Sequence, residues 1–232
     1  MCGRPPGRQN GPMTDADALR GRFVRVLDAV RGPGAGPAAE PYAEDLLRRW
    51  GEPQRRYHTT AHLTAVLDHV DALAEYAADP DTVRLAAWFH DAVYRPELSG
   101  NEERSARLAR RALTEAGAGA GRTAEVARLV LLTATHDPAG DDRDGQVLCD
   151  ADLAVLGSPP SAYAAYTAAV REEYHFVPPD AFRAGRSDVL RRLLALPRLF
   201  HTPRGRDAWE ATARYNLAAE LEILSPGDAS AP

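Results

Sequence analysis

Apolar residues recur at helical spacing through nearly the whole chain, and Gly- and Pro-rich breaks separate one apolar stripe from the next. In the segment 15–31, Leu19, Phe23, Val26, Leu27 and Val30 fall on one face of a 3.6-residue helix. Pro41 suits a first helical turn, and Tyr42, Leu46, Leu47 and Trp50 continue from it. The stretch 58–78 carries Leu63, Val66, Leu67, Val70 and Leu73 on one side. Residues 82–93 are apolar almost all round, which places that helix at the centre of its domain. Further helices are expected at 101–116, 122–135, 146–156, 159–174, 179–195 and 206–223, with the Asp/Gly-rich stretch 137–145 as a loop. No run alternates as a half-buried strand would. The expectation is a compact, single-domain, all-α helical bundle over 14–224. The Gly/Pro/Arg-rich segment 1–13 and residues 225–232 read as disordered tails, with Met13 as the natural start.

Composition narrows the function classes. The net charge is −5, whereas a nucleic-acid binder usually shows a basic excess, so nucleic acid is a disfavoured partner. Every basic residue is Arg, which removes Schiff-base and Walker-lysine chemistry. The longest apolar runs are far too short to cross a bilayer. Two cysteines, Cys2 and Cys149, cannot form a disulfide framework, and no signal peptide is evident; both point to a reducing, cytoplasmic address. Cys149 reads as a core residue.

Histidines and carboxylates mark the ends of the most apolar helices. His58 and His62 are four apart, so a helix starting there would project both from one face. His90-Asp91 ends one apolar stretch, His136 ends another, and Asp150-Ala151-Asp152 opens a third. A charged Asp beside a buried helix is costly unless it is paired or bound to a cation. Taken singly these signals are weak, since Asp-x-Asp before an apolar run also reads as an N-cap. Taken in order, they are a set of imidazoles and carboxylates on separate inner helices, the kind of set that builds a metal site in a bundle core.

That order resembles the HD-domain superfamily of metal-dependent phosphohydrolases, named for its His…His-Asp…Asp ligands. FHDAVYRPELSGNEERSA, DADLAVLG, VREEY and FRAGRSDVL look like a bacterial branch described only as predicted HD phosphohydrolases. The resemblance implies an HD-type bundle that cleaves a phosphoester of a small molecule, such as a nucleotide, through a divalent ion; Mn, Mg, Fe, Co, Ni and Zn are not distinguished. It assigns His90, Asp91 and Asp152 as ligands. His58 and His62 compete for the first ligand position. YHTTAHLTAV is similar to the Tyr-His-Asn-x-x-His segment of class I cyclic-nucleotide phosphodiesterases, and that analogy makes His62 the ligand and His58 the general acid.

The remaining roles are expectations of the same kind. Glu102 or Glu103 would orient water, Glu102 being preferred, and Arg55, Arg56 and Arg186 would bind phosphate oxygens. His136 and Asp150 would serve a second metal or support the first. Superfamily members with two metals carry two extra histidines, and only His136 is evident here, so one tightly held ion is expected. Arg214 and Asn216 read equally as salt-bridging groups of the late helices, and His69, His175 and His201 as structural or surface residues. The alternatives are a non-catalytic nucleotide-binding module and a di-iron oxygenase on the same fold.

Overall fold

Thr14 starts the first helix with a capping box: its side chain accepts from the Asp17 N–H while the Asp17 carboxylate accepts from the Thr14 N–H. The computed structural model describes residues 14–32 and 35–225. The expected N-terminal tail, with Met13, lies outside the described residues, as does the C-terminal tail beyond Ser225. The helices are α1 (Asp15–Arg31), α2 (Glu40–Trp50), α3 (Thr60–Ala72), α4 (Pro80–Phe89), α5 (Asn101–Glu115), α6 (Ala120–Leu132) and α7 (Arg143–Leu153). They continue with α8 (Pro160–Glu173), α9 (Pro179–Ala195) and α10 (Ala211–Leu224), the last entered through a π-helical turn over Arg206–Glu210. No strand occurs among the described residues, so the chain is all-α. None of these helices is long and apolar enough to cross a membrane.

Two hydrophobic clusters hold the bundle. The larger is drawn from α1 to α7 and includes Phe23, Trp50, Leu67, Trp88, Phe89 and Val130. The largely apolar α4 sits at its centre and packs against α1, α3, α5, α6 and α7. Phe23 meets Trp88 edge to face at 5.2 Å. Each fully buried side chain of this kind contributes about 1.5–3 kcal/mol. The smaller cluster gathers Leu156, Tyr163, Leu190, Leu199, Phe200, Ala213 and Leu217 from the later helices. Trp209 packs against both clusters and joins them.

Four helices have boundaries that differ from those the sequence pattern suggests. α3 starts at Thr60 on the Thr59 cap, not at position 58, so His58 precedes the helix. α4 stops at Phe89 and starts at Pro80, where proline fits the first turn. α6 ends at Leu132, and His136 takes a left-handed φ of 51° beyond it. α7 starts at Arg143 on an Asp142 cap, within the stretch expected to be a loop. Asp150 and Asp152 therefore lie in the final turns of α7 and do not open a helix.

Candidate metal centre

Helix ends deliver the donors. The last turn of α4 leaves carbonyls without helical partners, and the site uses them. Trp50 Nε1 donates to the Trp88 carbonyl at 3.0 Å, and His90 Nδ1 lies 2.8 Å from the Ala87 oxygen. The second contact makes Nδ1 a protonated nitrogen and turns Nε2 inward. His62 comes from the first turn of α3 and Asp152 from the end of α7. His62, His90 and Asp152 form a group that could hold a metal ion, and both imidazoles are buried.

The spacings test that fit. Donor atoms around one ion at ~2.1 Å stand about 3.0 Å apart at octahedral angles and about 3.4 Å apart at tetrahedral ones. His62 Nε2 and His90 Nε2 are 3.3 Å apart. Asp152 Oδ1 lies 3.2 Å from His62 Nε2 and 3.5 Å from His90 Nε2. The fourth expected ligand, Asp91, has its Oδ2 atom 3.4 Å from His90 Nε2 but is not part of the converging group of three. Two imidazole nitrogens facing each other at such a distance repel unless a cation or proton lies between them. Burial opposes a charge on either ring. For His90, Asp91 and Asp152 more than offset this and raise its pKa well above the ordinary value, while His62 stays lowered. Asp152 is held well below the carboxylate range against its burial by His90, His136 and His62. The pocket is thus built for positive charge at one point.

His58 occupies a different place from the one its spacing suggested. Lying before the helix cap, it turns its Nδ1 to Glu173 Oε2 at 2.7 Å, and its Nε2 lies 3.7 Å from Asp91 Oδ2. The other Glu173 oxygen accepts the backbone N–H groups of Arg56, Tyr57 and His58 at 2.8–3.0 Å. Tyr94 donates its hydroxyl to Glu173 Oε2 at 2.8 Å. Burial would raise the Glu173 carboxyl, yet His58 and the backbone donors bring it down to about 2. Asp91 and Glu173 likewise raise His58 against its burial. Sequence reasoning alone does not pick out Glu173, although a signal is present: it ends α8, where the helix dipole disfavours a negative charge.

The other expected residues separate into two groups. His136 and Glu102 line the same cavity as His58, His90, Asp91 and Asp152. His136 Nε2 sits 2.8 Å from Asp152 Oδ2, the oxygen turned away from His62 and His90, and so orients that carboxylate. Three of the other expectations meet competing contacts. Arg55 is fully buried between the Trp50 and Tyr94 rings and donates to the carbonyls of His58 and Asp91 at 2.9 and 2.8 Å. It ties the His58 loop to the turn after α4 and has no face for phosphate. Arg186 grips Glu220 through two nitrogens at 2.8 and 2.9 Å. Asp150 is also occupied: it accepts from the His201 and Thr202 N–H groups and the Thr202 hydroxyl, at 2.7–2.8 Å. Gly205 passes so close that a Cβ there would lie 2.4 Å from the Asp150 oxygen. Asp150 is a structural clamp, not a ligand. Arg56 is exposed and donates to the Pro53 and Arg55 carbonyls. Cys149 is buried in the core as expected, Arg214 pairs with Glu210, and Asn216 donates to the Leu156 and Ser158 carbonyls.

No protein-family model, curated protein or solved structure matches the chain.

Proposed function

We propose that the protein is a metal-dependent phosphohydrolase of the HD type, acting on a phosphoester of a small molecule. The observation that carries this reading is the convergence of His62, His90 and Asp152 from three helices, with Asp91 and the Glu173-held His58 on one side of them. In this reading Asp91 is the fourth ligand, completing a mixed imidazole and carboxylate set suited to a borderline divalent ion. When bound, such an ion supplies a Lewis acid for phosphoryl oxygens and lowers the pKa of water.

The chain's own groups do the rest. Glu173 accepts from His58 Nδ1 and, with Asp91, favours the imidazolium form, whose second proton, on Nε2, faces the cavity beside Asp91. His58 is placed to give that proton to a leaving alkoxide. Arg55 holds the His58 and Asp91 backbones in register. The two-metal oxidative alternative has fewer donors than it needs, since His136 is the one further imidazole brought to Asp152 among the described residues.

The test is metal analysis and phosphatase assay of the purified full chain with Mn, Mg, Co and Ni. Wild type is expected to retain a divalent ion and to release phosphate from generic esters. His58→Ala should keep the ion while losing about 10²–10⁴-fold in kcat. A protein that binds no divalent ion, or a His58 variant with full kcat, ends this reading.

A further inference from the structure

Phosphoester cleavage leaves the organic half of the substrate unspecified, and the cavity wall facing the donors bears on it. The cavity has a volume of about 610 Å³, within the range of small-molecule sites. Asp91, Glu102 and Asp152 contribute carboxylates to it, and its one guanidinium, Arg186, is already matched by Glu220. A polyphosphate would bring several further negative charges to a lining with no free Arg among the described residues. A single phosphate brings the least further negative charge to this lining, with one divalent ion and His58 to meet it.

The opposite wall is apolar and aromatic. α8 and α9 present Val170, Tyr174, Phe182 and Val189 to the cavity. Tyr174 and Phe182 rings lie 6.2 Å apart. α9 also contributes Gly185, well inside the helix, to the lining. Glycine at such a position costs about 1 kcal/mol relative to alanine. A Cβ added there would meet no protein atom within 4 Å, so packing within the protein does not call for the glycine. Gly185 lines the cavity, so a side chain added there would stand at its wall.

We propose that this cavity takes an ester of a single phosphate whose organic part is a planar ring, laid against Tyr174, Phe182 and the open Gly185 face of α9, and that it discriminates against polyphosphates. The proposal rests on the hydrolase reading for the reaction, but ring binding can be measured without turnover.

The experiment compares wild type, Gly185→Ala and Gly185→Leu, each metal-loaded. It measures kcat/KM for phenyl phosphate, adenosine 5′-monophosphate, methyl phosphate and ATP, together with calorimetric binding of phenylphosphonate, which cannot be hydrolysed. Wild type should prefer either ring ester to methyl phosphate, and to ATP, by about tenfold or more. Gly185→Leu should cut the ring-to-methyl ratio by about tenfold with an unchanged or raised Tm, because leucine is the better helix former. Gly185→Ala, the milder change, should fall between the two and guards against a leucine variant that does not fold. ATP or methyl phosphate turned over as well as the ring esters overturns the proposal, as does a ratio unmoved by either variant. If none of the four esters is cleaved but phenylphosphonate binds wild type and weakens in Gly185→Leu, the ring pocket stands and the hydrolase reading falls. Cleavage of all four without preference does the opposite: the hydrolase reading stands and the ring pocket falls.

Discussion

The two sides of the cavity are built differently. The donor side hangs from α3, α4 and α7, whose apolar faces belong to the larger core, and its imidazoles are fixed by helix ends and by Trp50. The α8–α9 side rests on the smaller cluster and reaches the donors mainly through one carboxylate, Glu173, and a few rings. The contrast separates rigidity from selectivity. A donor set needs fixed spacing, which a large core supplies, whereas the wall that would admit a ligand rests on a smaller core.

The sharpest way to break that contrast is at the donors. His90→Ala with Asp91→Ala should abolish metal retention and with it all hydrolytic turnover, measured by elemental analysis and phosphate release. Trp50 and Trp88 are buried in the core around α4, so the fold should persist by circular dichroism. Equal metal content in variant and wild type would show that the donors are only a buried ion-pair network.

The two neighbouring aspartates offer the next largest effect. Asp152 faces the imidazoles, while Asp150, two residues away on α7, clamps the segment before α10. Asp150→Ala leaves two backbone N–H groups and the Thr202 hydroxyl without their acceptor, a loss of about 3–5 kcal/mol in all. Chemical denaturation should show that loss while metal content per folded molecule stays at the wild-type level. A loss of metal without a loss of stability would exchange the roles of the two carboxylates.

Much of the donor side is legible in the chain because its signals are local. Apolar periodicity places α4 at the centre, and the donors sit where that periodicity ends, at His62, His90 and Asp152. The α8–α9 side is not legible in the same way. Glu173 meets His58 across 115 residues of sequence, and no local pattern encodes that pairing. Arg55 misleads for a related reason: next to a histidine segment it looks like a phosphate ligand, and only the fold, which closes Tyr94 over it opposite Trp50, shows that it is enclosed. Asp150 and Asp152 look like the opening of a helix because the true start, the Asp142 cap, lies in an Asp/Gly-rich stretch that resembles a loop.

Glu173 tests the junction between the two sides by its pH dependence. Its carboxyl falls from an ordinary 4.5 to about 2 on folding, with His58 and the backbone donors outweighing burial. A carboxyl depressed in this way contributes stability that is complete above the unfolded value and is lost as pH falls through the folded one. Glu173→Gln carries no such titration. The stability gap between wild type and variant should therefore be on the order of 2–3 kcal/mol near neutral pH. It should close progressively as pH drops from 4.5 toward 2. Denaturation midpoints across that range measure it, and a gap that holds constant into acid would mean that folding leaves the carboxyl's pKa unshifted.

The smallest effect concerns motion. Amide exchange should divide the molecule along the boundary between its clusters. Amides in α4 and α6, enclosed by the larger core, should exchange only by global unfolding. Those of α9, where Ser187 and Leu190 are the buried positions, should open at a free energy lower by about 2 kcal/mol or more. Ligand seated against Gly185 would narrow that difference, because a molecule that binds the closed wall stabilises it by mass action. If α9 proved as protected as α4 without ligand, the wall would be as rigid as the donor side, and its selectivity would have to come from shape fixed in advance.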